Sequence, residues 1–200
     1  APVSYLQQGK PMVAIFAGKA IHGVDADSGA VAWSFPWETA YDVHAAVPVL
    51  IGDEKLFFSS GYNHGCAMLS IGDGKVAKLW ENKNLCSQFS SPVLYQGNLY
   101  GINGNVGGGE VRCIDPQSGA VKWRTNDPGF GSLMIGGDKL IIMTENGRLV
   151  IAEAQADAFK ELYRKEILSG TCWTVPVLAN GRIYCRNHAG TLVCLRFAAP

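Results

Sequence analysis

An all-β fold, a β-propeller of four-stranded antiparallel blades, is what this sequence predicts, on three observations. The pattern D-x-x-S-G-A-V-x-W stands at residues 25–33 and again at 115–123. Gly29, Gly74 and Gly119 are spaced by 45 residues each. A strand opening P-V recurs at Pro2, Pro48, Pro92 and Pro176, with Leu133 holding the missing slot. A fixed period of this length is the mark of a repeat architecture, and four short strands per period mean propeller blades.

Each repeat reads the same way. The opening leads into a first strand, then a turn, then a second strand at 12–17, 55–59, 98–102, 139–144 and 182–187. A third strand follows at 20–25, 66–71, 110–115, 148–154 and 191–197. These runs are rich in β-branched and aromatic residues and are bounded by turn chemistry such as Gln-Gly-Asn and Ala-Asn-Gly-Arg. Fourth strands carry Trp33, Trp80, Trp123 and, more weakly, Leu162 and Tyr163. Trp80 comes two residues late relative to Gly74, which calls for a bulge or a longer turn. Residues 152–166 have a helical composition, but the repeat phase places a fourth strand there. The repeats divide the chain at about 1–41, 42–86, 87–128, 129–170 and 171–200, the last one incomplete. Five blades of a seven- or eight-bladed ring are expected. The remaining blades would precede Ala1 in a longer protein, or self-association would cover the open face.

Composition narrows the function. With 48% hydrophobic residues the chain can bury a core. Lys plus Arg (17) balances Asp plus Glu (17), and no basic cluster stands out, so a nucleic-acid partner is not expected. No apolar run is long enough for a transmembrane helix. Six cysteines, Cys66, Cys86, Cys113, Cys172, Cys185 and Cys194, suit either an oxidising compartment or buried thiols. A tight turn at residues 189–190 would set Cys185 opposite Cys194 and permit a disulfide. The preferred reading is that both are small core residues.

Residues 113–123 (C-I-D-P-Q-S-G-A-V-K-W) and 23–33 (G-V-D-A-D-S-G-A-V-A-W) resemble the tryptophan-docking motif A-x-D-x-x-x-G-x-x-x-W of the PQQ-like (pyrroloquinoline quinone) repeat family. The resemblance covers essentially the whole chain, with repeats two and four degenerate. It implies that Asp25, Gly29, Trp33, Asp115, Gly119 and Trp123 are structural, the Asp clipping a turn and the Trp packing between blades. Members include quinoprotein dehydrogenases, which hold the quinone over Ca²⁺ in the central channel, and the periplasmic lipoprotein of the outer-membrane β-barrel assembly machinery. The alcohol-oxidising branch uses two adjacent cysteines, and this sequence has no such pair.

The expectation is therefore a non-catalytic, periplasmic or otherwise extracytoplasmic scaffold with a protein partner and no cofactor. The alternative is a PQQ- and Ca²⁺-dependent dehydrogenase acting on alcohols or sugars. No catalytic or metal-binding residue is assigned. A ligand would bind at the channel mouth, near the residues that precede each opening: His44, Gln88, Phe89, Phe130 and Trp173. Their rings either stack a flat ligand or pack between blades. His64 and His188 read as solvent-exposed turn residues. Residues 104–109 resemble a phosphate loop only superficially, since no helix follows, and read as a flexible hairpin loop.

Overall fold

The computed structural model describes residues 1–72 and 75–196. These residues form nineteen strands and no helix, in five antiparallel sheets. Blade 1 is β1 (Val3–Gln7), β2 (Lys10–Phe16), β3 (Ala20–Asp25) and β4 (Val31–Pro36). Blade 2 is β5 (Val49–Ile51), β6 (Lys55–Ser60), β7 (Gly65–Ser70) and β8 (Ala77–Asn82). Blade 3 is β9 (Val93–Tyr95), β10 (Asn98–Asn105), β11 (Gly108–Ile114) and β12 (Val121–Thr125). Blade 4 is β13 (Gly131–Gly136), β14 (Lys139–Thr144), β15 (Arg148–Glu153) and β16 (Glu161–Glu166). Blade 5 has β17 (Val177–Ala179), β18 (Arg182–Arg186) and β19 (Leu192–Arg196) among the described residues. In each sheet the spatial order of strands is the sequence order. This is the meander that a propeller blade requires.

Burial explains the sequence pattern. The second and third strands of the inner blades are apolar on both faces because a blade lies against each face. In β14 the run Leu140–Thr144 is buried, and in β15 Leu149, Val150, Ile151 and Ala152 are buried. The fourth strands face solvent and alternate, as in β12, where Trp123 is buried while Lys122 and Arg124 are exposed. Four apolar clusters result, each shared by two consecutive blades. That between blades 2 and 3 joins Phe57, Cys66 and Met68 to Leu85, Leu99 and Ile114. That between blades 3 and 4 joins Tyr100, Val111, Cys113 and Trp123 to Leu140, Ile142, Val150 and Ala152. Burying such side chains stabilises by about 2 kcal/mol each, so cohesion resides between blades rather than within them.

A register shift between the third and fourth strands recurs at one place in the four complete blades: Gly23/Val24, Met68/Leu69, Cys113/Ile114 and Ile151/Ala152. It brings Trp33 opposite Gly23, Trp80 opposite Met68, Trp123 opposite Cys113 and Tyr163 opposite Ile151. Leu69 pairs with Lys78 where Val24 pairs with Val31, so two extra residues lie in the β7–β8 connection, and the late Trp80 reflects a longer turn. Gly74, which set the repeat spacing, and Phe197, the expected end of a strand, lie outside the described residues. Residues 161–166 form a strand, as the repeat phase requires.

Two sequence expectations are corrected. Cys185 is a buried core residue as preferred, but Cys194 is exposed: Cys194 pairs with Tyr184 and Cys185 with Val193, so the two side chains point to opposite faces of the sheet, which also rules out the alternative of a disulfide between them. Residues 104–109 are not a flexible loop: β10 and β11 run to a two-residue turn at Val106 and Gly107, with Asn105 paired to Gly108. Gly107 takes φ +84°, which this turn demands at its second position.

Candidate functional site

The meander assigns the connections to two faces. Turns from first to second strand share a face with turns from third to fourth strand. The hairpins between second and third strands share the opposite face with the linkers that run to the next blade.

The first face carries the docking turns. Asp115 Oδ1 accepts from the Gln117 amide at 2.8 Å, and Oδ2 from the Ser118 hydroxyl at 3.2 Å. Gly119 N–H closes the turn on Asp115 O at 2.8 Å with φ +70°. The turn at Asp25 repeats this, with Oδ1 accepting from Ser28 N at 2.8 Å and Gly29 at φ +73°. Lys10 Nζ sits 2.5 Å from Asp25 and, together with the Ser28 bonds, holds this carboxyl well below the usual carboxylate range. The Trp80 indole donates to Pro116 O of the next blade at 3.0 Å, and the Trp123 indole to Gln155 O at 2.9 Å. The Trp33 indole instead donates to Tyr5 Oη in its own blade at 2.9 Å. Trp33 still packs between blades, among Leu56, Phe58, Ala67 and Leu69.

The second face is a continuous belt of hairpin tips and linkers. Tyr41 stacks edge-on to Tyr62 with ring centres 5.2 Å apart. The Tyr62 hydroxyl accepts from Gln88 Nε2 at 3.0 Å, while Gln88 Oε1 accepts from Val106 N at 3.1 Å. Gly107 N–H donates to the Glu145 carboxylate at 3.1 Å. Cys172 N–H donates to Glu145 O at 2.9 Å, and His188 N–H to Thr171 O at 2.9 Å. Every blade-to-blade step is thus bridged by a hydrogen bond or ring contact.

The five residues placed at the channel mouth all lie in these linkers but play different parts. His44 is half-buried and stacked on Phe16 at 4.0 Å. Its Nε2–H donates to Gly18 O at 3.0 Å, so Nδ1 accepts from the Ser60 hydroxyl at 2.9 Å, and Ser60 accepts the Trp37 indole at 3.0 Å. Burial holds its pKa below the ordinary imidazole value, in keeping with that neutral tautomer. Gln88 is a bridge between two hairpins. Phe130 is buried in the blade 3–4 cluster, and Phe89 packs on it edge-on at 5.1 Å. Trp173 alone of the five presents a large exposed surface, at 38%, with Phe89 at 5.3 Å and the His188 ring at 4.9 Å. His188 is exposed as expected, whereas His64 is half-buried against Trp37 at 4.8 Å.

Sequence reasoning missed Tyr41, Tyr62, Val106 and Glu145. Tyr62 and Val106 fall in hairpin tips one repeat apart, so the repeat phase held that signal. Trp173, Val106, Glu145, Asn146, Gly170 and Thr171 line a cleft of about 260 Å³.

The family described as outer membrane protein assembly factor BamB matches residues 2–125 and 107–198, nearly the full chain. Among solved structures, BamB from Moraxella catarrhalis is similar with a TM-score of 0.71 and 17% identity, covering 98% of this chain and 56% of that one. The computationally designed Ika8 protein is similar with a TM-score of 0.67 and 8% identity, covering 97% of this chain and 57% of that one. At such identities the likeness is one of fold. The chain spans a little over half the length of both. No curated protein matches it in sequence.

Proposed function

This chain belongs to the family of the outer membrane protein assembly factor BamB, and from that premise we infer that it is a non-catalytic scaffold of the bacterial cell envelope that holds a protein partner on its hairpin-and-linker face. One observation carries the reading. Tyr41, Val43, Tyr62, Val106, Trp173 and Val175 are exposed large apolar side chains, and all lie in the hairpins and linkers of that single face. Exposed aromatic and aliphatic groups gathered on one surface mark protein-binding sites, where Trp and Tyr supply most of the energy. The belt of bonds from Tyr62 through Gln88 and Glu145 to Cys172 holds these groups in place before a partner arrives, which lowers the cost of ordering them. The family supports the extracytoplasmic location and the link to outer-membrane protein assembly. The role needs no cofactor, and titration with PQQ and Ca²⁺ is expected to leave tryptophan fluorescence unchanged.

The test is site-specific photocrosslinking in the source bacterium. A photoreactive residue at Tyr41, Tyr62 or Val175 is expected to trap one and the same envelope protein. The same residue at Val31 or Leu79, exposed on outer strands, is expected to trap none. Equal crosslinking from both sets would overturn the assignment of the face.

A further inference from the structure

The cleft beside Trp173 has a feature the scaffold role alone does not explain. Glu145 is half-buried, and among the described residues its carboxylate accepts only the Gly107 N–H, both oxygens lying 3.1 Å from that nitrogen. A carboxylate has about four acceptor sites. No lysine or arginine forms an ion pair with Glu145 among the described residues. Arg148, three positions on, is directed to Asp127 at 4.0 Å. Trp173, which lines the same cleft, keeps 38% of its surface exposed.

The backbone fixes this pair. Glu145 N–H donates to Phe130 O at 3.0 Å, and Glu145 O accepts from Cys172 N–H at 2.9 Å, so the segment bearing Trp173 is bonded to the residue bearing the carboxylate. Gly147 holds the turn at φ +93°, and a Cβ there would come within 2.0 Å of Leu168 O. The two groups that line the cleft are therefore positioned in advance.

We propose that this cleft receives one cationic side chain of the protein partner, an arginine. A guanidinium can lie over the indole and bond the free acceptor sites of Glu145 in one plane, which an ammonium cannot do as well. The cleft volume of about 260 Å³ admits one extended side chain and not a folded segment. Asn146 and Thr171 at the edge offer an amide and a hydroxyl to the remaining N–H groups. This rests on the reading that the face binds protein, and it names the chemistry at its centre.

The experiment is an NMR titration of the ¹⁵N-labelled chain, following the Gly107 amide and the Trp173 indole N–H, the latter assigned by its loss in Trp173→Phe. The probes are N-acetyl-arginine amide, its uncharged analogue N-acetyl-citrulline amide, N-acetyl-lysine amide and chitobiose. Saturable shifts of both signals are expected with the arginine probe, weaker binding with lysine, and at least tenfold weaker binding with citrulline. Glu145→Gln keeps an oxygen for Gly107 and is expected to lower arginine binding at least tenfold while the rest of the spectrum stays in place. Trp173→Leu should weaken it as well. Equal binding of citrulline, no effect of Glu145→Gln, or shifts with chitobiose and none with arginine would each overturn the proposal, the last by making the cleft a glycan site. Crosslinking from Tyr41 and Tyr62, outside the cleft, separates the two readings. If it persists while the arginine probe is silent, the cationic subsite fails and the scaffold stands.

Discussion

At the junction of blades 3 and 4 the Trp123 indole donates across to Gln155 O, whereas at that of blades 1 and 2 the Trp33 indole donates back to Tyr5 of its own blade. There the crossing bond comes from Gln7, whose side-chain amide donates to Ile71 O. Both tryptophans belong to the two best copies of the motif, and both turns are closed by the same Asp and Gly bonds. Trp80, in a degenerate copy with a late tryptophan, nevertheless docks across to Pro116 O. The motif therefore encodes the shape of a turn and the depth at which an indole is buried. Where the indole N–H goes is not set by the motif: blade 3 carries Tyr95 at the position of Tyr5, yet that hydroxyl accepts from Gln96 Nε2 and the Trp123 indole crosses to Gln155 O.

Removing the indoles is the largest perturbation. Trp123→Ala and Trp33→Ala should each cost about 3–5 kcal/mol in urea unfolding, because both are buried in interblade clusters. Similar losses would confirm that packing, not the bond, is common to the two junctions. The glycines come next. A Cβ on Gly119 would lie 2.4 Å from Asn82 Nδ2 and 2.8 Å from the Trp80 ring, while one on Gly29 meets nothing within 4 Å. Gly29→Ala carries only the left-handed backbone cost of about 1 kcal/mol, and Gly119→Ala should add overpacking for a total of about 3 kcal/mol. Equal effects would mean that Trp80 does not press on that turn. A smaller effect separates the hydrogen bonds. Trp123→Phe should raise amide exchange on both sides of the blade 3–4 junction, at about 1–2 kcal/mol. Trp33→Phe should act within blade 1, leaving the next junction to be loosened by Gln7→Met at about 1 kcal/mol.

The smallest effect is electrostatic. Lys10 and the Ser28 bonds depress the Asp25 carboxyl, so the folded chain binds a proton there less readily than the unfolded one. Its contribution is fully present above the ordinary carboxylate pKa of about 4 and is lost as pH falls further toward the depressed value. Acid titration of stability should therefore steepen below pH 4 in the parent chain and less so in Asp25→Asn.

The strands, their order and the packing of Trp33 and Trp123 between blades were legible because the period runs through all five repeats, whereas Trp80, in a degenerate copy, is only half-buried. The second face was not legible. His44 looked like a ligand-facing group, yet its partners Phe16, Gly18 and Ser60 come from two blades, and nothing local to residue 44 announces them. The residues 104–109 read as loose because glycine is permissive, but the Gln88 and Glu145 side chains that fasten this hairpin belong to other connections. Cys185 and Cys194 were placed opposite each other by assuming a turn length, and a one-residue difference in register sends a side chain to the other face.

The register shift beside the third strand separates two lengths that a chain normally couples. In blades 1 and 3 the paired residues beyond the shift, Val24 with Val31 and Ile114 with Val121, enclose a shorter connection than Leu69 with Lys78 or Ala152 with Glu161. The fourth-strand residue nevertheless arrives opposite the same third-strand position in all four. Insertions at this connection are absorbed before the docking residue is reached. The β7–β8 and β15–β16 connections can therefore take an added loop only away from Ile71 and Gln155, whose carbonyls hold the neighbouring blade.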